Sequence, residues 1–247
     1  MLHGMSSTIE QLQKLADELA TMVWDRREAV LFRKQKVADI VAEINASESS
    51  AKPFIVADGA DSTSAGSLGD SNYLLKYLLE NPINGAVYMT VTDSALAKKC
   101  FDAGVGNVVT SDIGGSLSPV FFTPTKVTGE VLTLCDGIYQ SKYPSFMVNA
   151  GPTAVLKVGE ISIVVTSKPA FMLDYQLYLR VGLDFTTAKA VQVKSAGGYR
   201  AYYEPLAFKC IDMASPGSSD SRLPKLPFTK PRRPLWPFDL DIVEPWY

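Results

Sequence analysis

The stretch Phe54-Ile-Val-Ala-Asp58-Gly-Ala-Asp61-Ser-Thr-Ser-Ala-Gly66-Ser-Leu-Gly69-Asp70-Ser71 decides the fold of this 247-residue chain. Its apolar run, closed by Asp58 and Gly59, reads as a buried strand, and the Gly- and Ser-rich segment after it leads into an amphipathic helix. Strand, loop and helix in that order form the unit of an open α/β sheet. Such sheets bind ligands in the loops beyond the carboxyl ends of their strands, so these loops are the first place to seek chemistry.

Working outward, residues 71–80 read as a helix with Tyr73, Leu74, Tyr77 and Leu78 inward, stopped by Asn81-Pro82. Residues 85–91 form a strand, Asp93 caps a helix running to Ala103 and closed by Gly104, and residues 107–111 form a third strand. This alternation implies a parallel sheet with right-handed crossovers. The pattern then changes. Residues 126–135 alternate and are rich in β-branched side chains, while 154–158 and 161–166 flank Gly159-Glu160 as a hairpin, so an antiparallel subsheet is expected. Asp174 opens a short helix ending near Gly182, and residues 190–194 and 208–213 complete the strands. The fold class is α/β: a parallel-sheet three-layer core with an antiparallel β subsheet, an N-terminal helical segment and a Pro-rich C-terminal arm.

Residues 7–46 read as helix, opened by a Ser7/Glu10 capping box. One apolar stripe is Ile9, Leu12, Leu15, Leu19, Met22 and Val23; a second is Val30, Val37, Ile40, Val41 and Ile44. The charged run Asp25-Arg26-Arg27-Glu28 between them allows a bend or two packed helices. The expected domains are a helical segment at 1–50, an α/β domain at 51–214 and an arm at 215–247. The arm's composition favours polyproline II, and its Pro-x-x-Pro beside arginines could be offered to an SH3-type partner. Leu235, Trp236 and Phe238 are costly to expose, which favours an arm docked on the domain.

Composition narrows the function. A net charge of -2 from 24 basic and 26 acidic residues gives no general attraction to nucleic acid or anionic membrane. No apolar run is long enough to span a bilayer and no signal peptide is visible, so a cytoplasmic protein is expected. Cys100, Cys135 and Cys210 lie far apart and read as small buried residues. The sole histidine is His3, so neither an ordinary catalytic zinc site nor a Ser/His/Asp triad can be assembled from the sequence.

Two loops carry candidate chemistry. Gly66, Gly69 and Ser71 place backbone amides and a hydroxyl at a helix start, suited to an anion, although a turn with Asp70 or Ser71 as helix cap explains the same residues. Asp58 and Asp61 could hold a hard cation or position a water, yet paired loop carboxylates are common. In the second loop, Lys194, Ser195, Tyr199 and Arg200 could grip a carboxylate or peptide carbonyl; a structural Arg200–Glu204 pair is the competing explanation. Ser195 is not expected to be a nucleophile, because Lys194 points to the opposite face of the strand.

These loops resemble the C-terminal domain of the microcystinase C (MlrC)-like metallopeptidases. That family typically reads Asp-Asn-Pro-Gly-Gly-Gly and then Pro-Gly-Asp-Ser/Thr, which Asp61, Gly66, Gly69, Asp70 and Ser71 fit while Ser62, Thr63, Ser64 and Ala65 depart. The similarity continues through Ala103-Gly104-Val105-Gly106, Gly114-Gly115, Val193-Lys194-Ser195, Tyr199-Arg200, Pro205 and the Arg232-Arg233-Pro234-Leu235-Trp236-Pro237 run. Many relatives carry a histidine where this chain has Gly198. The resemblance implies a domain from a family that hydrolyses small peptides of the microcystin-degradation type, with zinc held by a separate N-terminal domain. It also implies that residues 1–50 connect the two domains. On this reading the chain binds no metal itself, has no catalytic residues of its own and is inactive alone. It would shape the cleft for a small peptide through Asp58, Asp61, Gly66, Gly69, Ser71, Lys194, Ser195, Tyr199 and Arg200. A stand-alone small-anion binding module and a non-catalytic interaction protein are the alternatives.

Overall fold

The computed structural model describes residues 8–29, 33–48, 51–142 and 145–242. The chain divides into two compact units, one of residues 34–220 and one of residues 1–33 with 221–247. No helix among the described residues is long and apolar enough to cross a membrane.

The smaller unit contains helix α1 (Ile9–Asp25). Its capping box is Thr8 with Gln11: the Thr8 hydroxyl accepts the Gln11 N–H, and the Gln11 side chain accepts the Thr8 N–H. The box sits one residue later than expected; Ser7 lies outside the described residues, as do Val30 and His3. Residues 7–46 are not one helix. After Asp25 the Arg27 guanidinium donates to the Trp24 carbonyl and stacks 4.4 Å above the Trp24 ring, closing the last turn where the apolar periodicity stops. In the arm, Arg233 grips Asp239, which also accepts the Leu235 N–H, and Phe238 packs on Phe228. Trp236 and Phe238 are half-buried, but Leu235 stays 39% exposed, contrary to the expectation that it would be covered.

The larger unit opens with α2 (Val37–Ala46), which buries Val37, Ile40, Val41 and Ile44 against the sheet's core. The strands are β1 (Phe54–Ala57), β2 (Val87–Thr92), β3 (Val108–Ile113), β4 (Thr125–Cys135), β5 (Ile138–Gln140), β6 (Met147–Asn149), β7 (Thr153–Val158), β8 (Ile161–Thr166), β9 (Ala190–Val193) and β10 (Lys209–Asp212). Eight of them form one sheet in the order β10-β1-β9-β2-β8-β7-β4-β3, and β5 and β6 make a separate ribbon. The first five are parallel, and the β7–β8 hairpin turns the sheet into an antiparallel run. Helices α3 (Tyr73–Glu80) and α4 (Ser94–Ala103) join α2 on one face over Phe54, Val56, Met89 and Ile163. On the other face α5 (Gln176–Arg180) and α6 (Arg200–Tyr203) lie with Ile55, Val155, Val164 and Val191. Three layers result.

One strand departs from expectation. β3 is not a parallel neighbour of β2; it lies at the far edge, antiparallel to β4. Strand β9, from 100 residues further along, takes the place between β1 and β2 instead. The long β4 slips register between Val131 and Thr133, as a bulge does when it bends a strand. Just before the slip, a Cβ on Gly129 would lie 2.5 Å from the Lys157 carbonyl oxygen. Gly129→Ala should therefore force β4 and β7 apart and lower stability by about 1–3 kcal/mol, read from the urea midpoint. An unchanged midpoint would contradict this packing.

Candidate functional site

The loops at the carboxyl ends of β1, β9 and β10 meet the segment after β3, and buried aspartates fasten them. β1 and β9 pair in register as Ala57 with Val193, so Asp58 and Lys194 follow side by side on one face of the sheet. A short turn at Gly59–Asp61 then returns the Asp61 carboxylate beneath its own loop. Asp61 accepts the Gly69 N–H at 3.0 Å and the Ser71 N–H at 2.8 Å. Lys194 Nζ lies 2.8 Å from Asp61 Oδ2 and donates to the Ser71 carbonyl at 3.0 Å. Lys194 and Asp61 are each 2% exposed. Gly69 has a φ of +76°, and a Cβ there would meet Thr92 Oγ1 at 2.7 Å, so the turn requires glycine.

Asp70 is not the cap expected for α3. Its Oδ2 accepts the Leu117 and Ser118 N–H groups at 2.8 and 2.9 Å, tying the loop after β3, while Asn72 takes the N-cap position without a side-chain capping bond, its amide donating instead to the Ile113 and Thr123 carbonyls. Asp93 is a cap as expected, accepting the Leu96 N–H at 3.0 Å, and it also accepts the Gly114 N–H at 3.1 Å. Asp58 Oδ1 accepts the Ser215 hydroxyl. Burial lifts the Asp58 carboxyl above the usual carboxylate range; Lys194 pulls it back down and Asp61 adds to the rise. The segment around Ser215 is laced to the β1 loop. The Ser219 hydroxyl donates to the Gly59 carbonyl and accepts the Ser62 N–H, each at 3.0 Å, and the Ser67 hydroxyl lies 2.7 Å from that of Ser218.

The second constellation is also paired internally. Arg200 reaches Asp212 Oδ2 at 2.7 Å and Glu204 at 3.6 Å, and the buried Tyr199 hydroxyl donates to Asp212 Oδ1 at 3.1 Å. Ser195 is 1% exposed and its Oγ has no partner among the described residues. Thus Asp58, Asp61, Gly69, Ser71, Lys194, Ser195 and Tyr199 are buried, Gly66 is exposed and Arg200 is half-buried. Structure brings Asp58, Asp61, Ser71 and Lys194 together; Arg200 and Tyr199 gather instead around Asp212, which carried no local sequence signal. Four amides of the Gly66–Ser71 loop are already occupied. Those of Gly66 and Ser67 go to the Thr63 and Ser62 carbonyls, and those of Gly69 and Ser71 to Asp61, so an internal carboxylate fills the place of an external anion.

Among the described residues no group of three or more His, Cys, Asp or Glu side chains is placed to hold a metal. Cys100 is buried, whereas Cys135 and Cys210 are only half-buried, short of the full burial expected. Burial pushes the Cys100 and Cys210 thiols up to about 11, away from thiolate chemistry at neutral pH.

These features define a three-layer α/β domain whose loops at the carboxyl ends of β1, β9 and β10 are fixed from within by buried carboxylates. The chain belongs to the MlrC C-terminus family, which it matches over residues 56–230. It is 23% identical to Microcystinase C of Sphingomonas sp over 194 residues, 78% of this chain and 37% of that protein. The crystal structure of a "Putative metallopeptidase" from Mesorhizobium sp. BNC1 has the same fold, with a TM-score of 0.80 at 23% identity over 93% of this chain and 45% of that one. The chain spans less than half the length of either relative.

The ion pair makes a direct prediction. Lys194→Met should cost about 3–5 kcal/mol in denaturant unfolding, because it leaves Asp61 charged and buried without its partner. Adding Asp61→Asn should recover part of that loss. If the two effects simply add, the pair is not coupled.

Proposed function

We propose that this chain acts as the C-terminal domain of an MlrC-type metallopeptidase and forms one wall of a cleft for small peptides, of the kind released in microcystin degradation. The metal, zinc in this family, is supplied by a separate N-terminal domain, and the cytoplasm is the compartment. The observation that carries this reading is the family match over residues 56–230, joined to the fact that both relatives, one named Microcystinase C and one a "Putative metallopeptidase", extend over more than twice the matched length. In the assembled enzyme the bound metal would polarise the amide and activate water.

This chain's part is positioning. Of the nine candidate residues, Gly66 and the half-buried Arg200 are the accessible ones, and they meet the peptide. Asp58, Asp61, Gly69, Ser71, Lys194 and Tyr199 hold those loops in place from below, and Ser195 is buried beside them. Loops fixed before substrate arrives lose little freedom on binding, which is how a wall without catalytic groups contributes to rate. The helical residues before position 51 serve as the connector to the metal-bearing domain.

The purified, tag-free chain should contain substoichiometric zinc by elemental analysis and show no peptidase activity with added zinc. One tightly held zinc per chain with zinc-dependent cleavage would overturn the assignment.

A further inference from the structure

Asp58, Asp61 and Lys194 form a buried cluster of two carboxylates and one ammonium. Asp61 takes the lysine directly, at 2.8 Å, and adds two backbone N–H donors, a set that satisfies an ionised carboxylate. Asp58 has no comparable set. It is 0% exposed, its Oδ1 accepts the Ser215 hydroxyl, and its Oδ2 has no hydrogen-bond partner among the described residues. The titratable groups facing it are Lys194, which favours its charge although already paired with Asp61, and Asp61, which repels it; the Ser215 and Ser71 hydroxyls also favour the charged form, and burial outweighs them.

We propose that Asp58 is a proton-operated latch between the loop after β1 and the segment after β10. In the neutral form the cluster is charge-balanced as Asp61 and Lys194, and Asp58 holds Ser215 in place. Ser215 in turn anchors a tightly fitted segment. The Ser219 N–H donates to the Ala60 carbonyl at 2.9 Å, and Gly217 lies so close to Ala60 that a Cβ would reach its oxygen at 2.1 Å. Loss of the proton puts a second, uncompensated negative charge beside Asp61 in a site closed to water. The Ser215 hydroxyl donates more strongly to a carboxylate, but the cost of burying that charge is larger. The segment therefore opens to let water in, and with it the Ser62–Ser67 stretch that Ser218 and Ser219 tie down. The β1 loop, the face assigned to substrate above, is thereby made sensitive to rising pH, although the latch itself does not depend on that assignment.

The direction follows from linkage. The folded chain holds the Asp58 proton more tightly than the unfolded chain, so its contribution is complete below the ordinary carboxylate range and is lost as pH rises through the folded value. Asp58→Asn keeps an acceptor for Ser215 and cannot ionise. The unfolding midpoints of wild type and Asp58→Asn, measured from about pH 4 to about pH 9, should diverge as pH rises, with the wild type falling relative to the variant. Parallel profiles would overturn the proposal. Because the variant could fail to fold, a carboxyl ¹³C titration of wild-type Asp58 gives a second reading. A midpoint above the carboxylate range, with faster exchange of the Ser219 amide once intrinsic base catalysis is subtracted, supports the latch. A midpoint at or below that range overturns it, whatever the peptidase assays show.

Discussion

The buried contact between Asp61 and Lys194 is what the loops at the carboxyl edge of this sheet depend on. Two residues just beyond strands far apart in the chain place opposite charges 2.8 Å apart in a site almost closed to solvent. Such a pair adds little net stability, because removing both charges from water costs about as much as their attraction returns. Its effect is geometric. Once Lys194 is drawn to Asp61, the carboxylate is oriented to receive the Gly69 and Ser71 amides, and the start of α3 is fixed against β9. Asp70 then repeats the device for Leu117 and Ser118, and Asp93 for Gly114.

Much of the fold was legible because it is written locally. The apolar run of β1, the two-residue turn between β7 and β8 and the Asp93 cap each depend on residues a few positions apart, where periodicity and turn chemistry act. The strand order was not. Nothing near Phe54 or Val87 announces that β9 will be inserted between them, because parallel neighbours are selected by long-range packing. The edge position of β3 is likewise set by its distant antiparallel partner β4, and no residue near Val108 announces it.

The site shows the same division. Asp58, Asp61 and Lys194 stand out in the sequence as charged residues at strand ends, and the structure brings them together. Their polarity suggested exposure to ligand; burial gives most of them an internal role instead. Asp70 looked like a helix cap because its true partners lie 47 and 48 residues away. The Ser215–Ser219 segment looked like the start of a tail because its Ser, Pro and Gly content resembles a linker. Those hydroxyls are instead short hydrogen-bonding groups that satisfy a closely packed loop. Asp212 was missed altogether, since its pairing with Arg200 and Tyr199 joins a strand to a helix start.

A loop surface set by its own buried carboxylates suits a domain that completes another domain's cleft, since the shape exists before any partner or peptide arrives. The central claim is therefore that these loops are as rigid as the sheet beneath them. Native-state hydrogen exchange of the Gly69, Ser71, Leu117 and Ser118 amides tests it most directly, because each is bonded to a buried aspartate. The account predicts protection close to that of the β1 and β9 amides, with opening only in global unfolding. Exchange at the rate of open surface loops would contradict it.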